Sequence, residues 1–383
     1  MAREINYIEV LNKFSSNSLY SIGIEEEYMI CCPETGDLFN KANQIMKSIS
    51  SNPLDEKDLS NRFSYELLLS EIESNTKVCY SSTEAVEYLR YLRQVLKAIG
   101  DKEKYNIGIS GTHPFADSRN QTFVDNESYN WVSNQLKYYA SQNMTFSTHI
   151  HIGVTCPEDS IKITNSIRRW IAPLLALSVN SPFFESNLTG MKSSRTFQFG
   201  IFPRTNIPYY MNSMEDYLSL LNKLKLNSSI DKSRHIWWKA RPHINLGTVE
   251  FRMCDVQRSL KRTHMLVSIA QALVHTIHSN KLFERSDYDH NILDDGLWNA
   301  SKDGIHGNII DPLSNEVISM KKMIRKMIDF CSISLKHFGN YDSVVKSIDV
   351  IFEKGTEADL QIECFNKEGY DGLISYLIDN VDY

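Results

Sequence analysis

The chain lacks any cysteine framework. Its seven cysteines are an odd number and none stand in CxxC spacing, which argues against a disulfide scaffold and against a structural zinc site. It has no GxxxxGK[ST] loop, so a P-loop is excluded. Long hydrophobic runs are missing too. The longest, residues 171–179, is interrupted by Pro173 and Ser178 and is far short of the ~20 residues a membrane span needs. No charged-then-apolar leader opens the chain, so a reducing cytoplasm is expected. Positive charge is not in excess. With 41 Lys and Arg against 47 Asp and Glu, the net charge is -6, which gives no electrostatic reason for nucleic acid or membrane as partner. A local phosphate site stays open, because arginines can cluster. There is no internal repeat and no Gly-, Ser- or Pro-rich linker, so residues 1–383 are expected to form one domain.

What is present is an ordinary globular composition, 42% hydrophobic and 23% charged over 383 residues. A short helical lead-in is expected before residue 21. Residues 32–37 (CPETGD) read as a turn, and residues 40–62 as a helix with a surface loop or flap. Ser81 and Glu84 fit a capping box that opens a helix, with Gly100 as its stop. Residues 105–112 read as a strand. Residues 115–132 read as a loop near a site or a short helix pair. Helices are expected over 157–179, 214–226, 260–278, 316–338, 341–352 and 369–379, the last part of the chain being helical from about residue 258. Strands do not alternate regularly with helices. That favours an α+β fold with an antiparallel sheet and helices on one side over a doubly wound parallel sheet.

Three stretches have strand periodicity with reactive side chains on one face. In residues 21–30 (SIGIEEEYMI), Ile22, Ile24, Tyr28 and Ile30 share one face. Glu25 and Glu27 take the other, beside Gly23. In residues 148–154 (THIHIGV), His149 and His151 share a face with Gly153. In residues 247–255 (GTVEFRMCD), Thr248, Glu250, Arg252 and Cys254 do so. Each pattern alone also suits a solvated face, a pair of hydrogen-bonded histidines or a simple ion pair. Residues 63–78 add Glu66, Glu71 and Glu73. Glu66 has the opposite parity to Glu73, so a bend must lie between them if both serve one site. Carboxylates, imidazoles and an arginine on the polar faces of several strands suit a multi-carboxylate site for magnesium or manganese, with substrate phosphates beside it.

The chain resembles the glutamate–cysteine ligase type 2 family over nearly its whole length. The resemblance rests on ordered motifs: GIEEEYMI at Gly23, ELLLSEIESNTKVC at Glu66, GTHPFA at Gly111, STHIHIGV at Ser147, WWKARPH at Trp237 and GTVEFRMCDVQ at Gly247 among them. It implies a carboxylate–amine ligase with a glutamine-synthetase-like sheet curved into a funnel. ATP would phosphorylate the γ-carboxylate of glutamate, and an amine, cysteine by default, would then displace phosphate. That activity belongs to glutathione biosynthesis. The resemblance further implies two or three Mg²⁺ ions (Mn²⁺ as substitute), small-molecule partners only, and a homodimer. Carried over by position, Glu25, Glu27, Glu66, Glu73, His149 and Glu250 are the implied metal ligands. Arg252 and Glu27 are the implied catalytic residues. Arg195, Arg204, Arg241, Arg252, His113, His151 and Thr248 are the implied substrate or ATP contacts, and Thr76 a family position without a role. The family often carries Arg-Tyr where this chain has Ser128-Tyr129, and proline where it has Lys77, which leaves the acceptor amine open. Two other readings stand beside it: a ligase of the same chemistry with a different acceptor, and an ATP-independent metallohydrolase using His149, His151 and the carboxylates.

Overall fold

Alternation in residues 21–30 becomes β1 (Ile22–Cys31), the strand around which a seven-stranded sheet is laid. The computed structural model describes residues 4–51, 59–280 and 287–383. The other sheet strands are β2 (Phe63–Tyr65), β3 (Glu71–Asn75), β4 (Asn106–Gly108) and β5 (Thr148–Gly153). Two-residue strands β6 (Phe183–Phe184) and β7 (Asn187–Leu188) form a separate hairpin. The sheet is completed by β8 (Ala240–His243) and β9 (Thr248–Phe251), and β10 (Asn308–Ile310) pairs with β11 (Val317–Ser319) elsewhere. The sheet order is β2-β3-β1-β5-β9-β8, with β4 also on β1, and every one of these ladders is antiparallel.

Thirteen helices are described: α1 (Tyr7–Ser15), α2 (Ala42–Ser50), α3 (Ser82–Glu103), α4 (Glu127–Leu136), α5 (Pro157–Ile167), α6 (Ile171–Ser178), α7 (Ser194–Gly200), α8 (Met214–Leu226), α9 (Leu260–Ser279), α10 (His290–Asp303), α11 (Met320–His337), α12 (Tyr341–Lys354) and α13 (Glu357–Asp379). The fold is α+β, as the element pattern implied. None of these helices is long and apolar enough to cross a membrane.

The sheet has one apolar face. Ile22, Ile24, Ile150, Ile152, Val249 and Phe251 are all buried in one cluster with the apolar sides of α5, α6, α9 and α11. Tyr28, Ile30 and Ile72 continue it against α3 and the end of α13. Helix α9 is buried along most of its length, as expected of a helix enclosed by others. Glu26 shares this inward face, yet is fully buried. Its carboxylate accepts two 2.9 Å bonds from Arg93 of α3 and a third, of 2.7 Å, from the Tyr28 hydroxyl. Arg93 also donates to the backbone carbonyls of Gln257, Arg258 and Asp382. One buried ion pair thus ties the first strand to the long helix and to the chain terminus.

Several elements differ from the sequence reading. Helix α3 runs past Gly100 to Glu103 and is closed by Lys104 in the left-handed conformation. Gly100 is instead a close-approach site, since a Cβ there would lie 2.6 Å from the Tyr105 carbonyl. Ser81 caps α3 by accepting from Glu84, while the Glu84 carboxylate accepts from Tyr80 and not from Ser81. Residues 317–319, expected to start a helix, form β11, and Ser319 then caps α11. Strand β8 and helix α10 were not foreseen. Pro242 hides β8 as a strand in the sequence, and it is tolerated because β8 is the sheet edge. The last helix begins at Glu357, with a kink at Gly369 where only its second half was expected. Part of the expected flap, residues 52–58, lies outside the described residues.

Candidate active site

The polar face of the sheet gathers the singled-out side chains through strand register. Glu25 lies opposite His149, and Glu27 opposite Glu73. His151 lies opposite both Gly23 and Glu250, and Glu250 in turn opposite Arg241. Directly opposed residues share a face, so one face carries the whole set. Gly23 and Gly153 keep it open or close-packed as needed: a Cβ on Gly153 would lie 2.2 Å from the Ser18 carbonyl. The bend expected between Glu66 and Glu73 is the β2–β3 turn. Ser64 pairs with Glu73 across it, which puts Glu66, two residues on, back on the Glu73 side.

Two groups of ligand-type atoms result, each with its atoms within 4.8 Å of one another: Glu27, Glu66 and Glu73, and Glu25, His151 and Glu250. His149 stands between the groups, its Nδ1 3.2 Å from Glu25 and its Nε2 3.9 Å from Glu27. The sequence reading placed His149 among the ligands and His151 among the substrate contacts. The structure sets His151 with the Glu25 group and His149 on the cavity wall.

The two groups differ electrostatically. Glu250 is gripped by Arg241 and Arg252, and Glu25 lies 3.2 Å from both His149 and His151. Burial alone would push both carboxyls up. The His151 charge for Glu25, and Arg241 and Arg252 for Glu250, outweigh it and hold both well below the usual range. His151 is correspondingly raised, since Glu25 and Glu250 outweigh its burial. Burial and the nearby Arg252 push His149 down. The Glu27 group has no such compensation. Among the described residues no lysine or arginine pairs with Glu27, Glu66 or Glu73, which rely on neutral donors. Glu27 accepts two 2.6 Å bonds from Ser147, and Glu73 accepts from Ser64 and Asn75. Burial and the neighbouring carboxylates push Glu66 well up and Glu73 up to about 7. Such an all-oxygen set fits a hard divalent cation, and the imidazole-containing set also suits Mn²⁺.

A cavity of about 170 Å³ opens beside the acidic group. Glu27, Glu66 and Glu73 line one wall. Arg195, Arg241 and Arg252 line the other, with Phe199, Phe202 and Trp237 between the walls and the exterior. Arg195 and Arg252 each keep a buried Nε–H without an acceptor, so each has bonding capacity left for an anion. Arg241 does not. It is spent on Glu250 and on the carbonyls of Arg234 and Ile236, which makes it a positioning group for Glu250.

Three other expected contacts lie away from the cavity wall. His113 is fully buried; its Nδ1 accepts from Ala116 N–H at 3.0 Å, so its Nε2 carries the proton given to the Gly36 carbonyl. It is a neutral structural histidine. Arg204 sits behind Trp237 and points to the His235 carbonyl. Thr248 bonds His151 Nδ1 at 2.9 Å, fixing that ring. Thr76 takes the Ile24 N–H and continues the edge of β1. Lys77 pairs with Glu84 on the surface. Ser128, at the cavity mouth, accepts a 2.6 Å bond from Arg234 of the opposite rim.

Sequence reasoning missed some groups. Glu71, named in the sequence on the same face as Glu73 but left out of the implied ligands, lines the cavity with its Oε1 unpartnered. Asp255 accepts from Asn180 N–H, Ser181 and Ser193 and so anchors the segment that carries Arg195. Lys239 is fully buried, with Nζ unpartnered beside Arg195 and Arg252. It lies within the WWKARPH motif but was assigned no role there.

The profile described as glutamate-cysteine ligase family 2 matches residues 21–373. A protein of Solibacter usitatus named putative glutamate–cysteine ligase 2 is 32% identical, over 95% of this chain and 94% of its own. Among solved structures, the Francisella tularensis glutamate–cysteine ligase in complex with AMP matches with a TM-score of 0.72 at 13% identity, covering 96% of this chain and 89% of its own. A bifunctional glutathione synthetase from Pasteurella multocida matches with a TM-score of 0.66 at 14% identity, covering 99% of this chain and 54% of its own.

Proposed function

The chain belongs to glutamate–cysteine ligase family 2 and is a carboxylate–amine ligase, and on that premise we propose that it joins the γ-carboxylate of glutamate to an amine at the expense of ATP. The balanced reaction is ATP plus glutamate plus amine to γ-glutamyl amide, ADP and phosphate, with cysteine as the default acceptor. We take residues 1–383 as one catalytic unit, working in the cytoplasm, where ATP and free glutamate are found.

The observation that carries the reading is the bipolar cavity. Carboxylates without counter-charge face arginines with unused N–H groups across one space. A carboxylate is a poor electrophile, so amide formation needs an activated acyl group. Two or three Mg²⁺ ions on Glu27, Glu66 and Glu73 and on Glu25, His151 and Glu250 would neutralise the phosphates and hold them in line. The solved relative's AMP supports a nucleotide site in this fold. Arg252 takes the role of donor to the phosphoryl oxygens as charge shifts to the leaving group, and Arg195 supports it. Glu250 and His149 orient Arg252 from below. Glu27 is held rigid by Ser147, so its cavity-side oxygen keeps one position.

The hydrolase alternative drew on barrels with regular βα alternation; here the sheet is open and antiparallel. The test is an ADP-release screen with glutamate, Mg²⁺ and a panel of amines, cysteine first, with mass spectrometry of the product. An amine-dependent burst of ADP and a γ-glutamyl product are expected. Background ADP with every amine would end the proposal.

A further inference from the structure

Glu71 stands on β3 two residues before Glu73, opposite Met29 of β1. Its position leaves the side chain no retreat. The residue between them, Ile72, points into the core, so Glu71 must share the cavity face. Its backbone N–H is held by the Leu68 carbonyl in the β2–β3 turn. The side chain is only 3% exposed, lines the cavity with Glu27, Glu66 and Glu73, and keeps Oε1 without any hydrogen-bond donor. A buried acid with a purely structural role takes a donor for each oxygen. Glu26, Glu250 and Asp255 all do so here, and Glu357, whose Oε1 also lacks a hydrogen bond, has Arg258 and Arg262 as counter-charges instead. Glu71 does not, and its nearest charges, Glu27 and Glu66, are of its own sign.

We propose that Glu71 is a further carboxylate ligand for divalent cations, joining Glu27, Glu66 and Glu73 at the acidic end of the cavity. Among the described residues these four have no lysine or arginine partner. Glu25 and Glu250 already have histidines and arginines against them, so the four-carboxylate end is where cation demand is greatest. The inference rests on the ligase reading only in taking divalent ions as part of the site.

The experiment is a Mn²⁺ titration of the full chain without nucleotide, followed by electron paramagnetic resonance of free Mn²⁺, beside melting curves in EDTA and in Mn²⁺. Glu71→Gln is compared with the unaltered protein and with Glu73→Gln. Glu71→Gln is expected to lose one Mn²⁺ equivalent or at least tenfold in affinity. Its melting temperature should also gain less from Mn²⁺ than that of the unaltered protein. A Glu71→Gln isotherm superimposed on that of the unaltered protein overturns the proposal. So does a lower melting point in EDTA with an unchanged Mn²⁺ gain, which is the mark of a structural role. Glu71-dependent Mn²⁺ binding in a protein that releases no ADP with any amine would sink the ligase reading and leave this one standing.

Discussion

Arg241 and Arg252 hold the same carboxylate, Glu250, but only Arg252 retains a free buried N–H. That division predicts how each fails. Arg252→Ala removes the proposed donor to the transferring phosphoryl group while Arg241 still neutralises Glu250. ADP release should therefore fall by about 10³-fold or more, with far-ultraviolet circular dichroism and melting temperature unchanged; retained turnover would refute the role. Arg93 shows the opposite behaviour. Arg93→Ala leaves Glu26 charged and buried without a partner, so a loss of roughly 3–5 kcal/mol is expected in urea unfolding. His113 supplies a pH test. Burial pushes its imidazole down to about 4 from 6.5. Between those values the unfolded chain binds a proton that the native one refuses. Its contribution is full above pH 6.5, falls by roughly 3 kcal/mol as pH drops toward 4, and is level below that. A His113→Gln variant should show a flatter dependence of urea stability over that window. Which side chains share the polar face was legible from strand parity, but each spacing alone also suited a solvated face, and the ligand set came from the family resemblance. The exceptions are instructive. His113, Arg204 and Arg241 have the right chemistry, but only packing shows that their donors are already engaged.

At the scale of elements, register does the assembling. β1, β3, β5 and β9 were readable because each alternates apolar and polar residues. β8 was not, since Pro242 with the polar Arg241 and His243 on either side breaks its pattern, and only the edge position makes it a strand. Helix α4 lies at the cavity mouth. It has no buried residue. It is held across the cavity mouth by Trp131 stacked on His235 with ring centroids 4.1 Å apart, by Ser128 with Arg234, and by Tyr129 with the Tyr65 carbonyl. The cavity beneath is lined in part by Ser128, Tyr129, Val132 and Leu136 of α4, so this latch is expected to bear on entry of the proposed substrates. Removing one aromatic pair worth about 1 kcal/mol shifts the latch about fivefold. Trp131→Ala should accordingly speed tryptic cleavage at Lys137 and change the apparent KM for ATP by a similar factor, with urea stability unaltered. Unchanged cleavage would show that α4 is rigid.

For the molecule as a whole, Glu27, Glu66 and Glu73 line one cavity without a lysine or arginine partner among the described residues, so the proposed cation binding predicts a gain in stability. Mg²⁺ at a hundredfold excess over its Kd should stabilise the native state by about 2.7 kcal/mol per site, read as a rise in melting temperature that EDTA reverses and Glu27→Gln diminishes. No rise with Mg²⁺ or Mn²⁺ would contradict the metal assignment. The sequence by itself determined the α+β class, the period-two faces and the ligand chemistry, because side-chain alternation and residue type are local properties of a strand. Which carboxylates already have counter-charges, which arginines have N–H groups left, and which histidine joins which glutamate were decided only by tertiary structure. Those depend on partners brought together by strand pairing, some more than a hundred residues away, as His149 is from Glu25, and some within ten, as Arg241 is from Glu250, and no local pattern encodes what stands on the neighbouring strand.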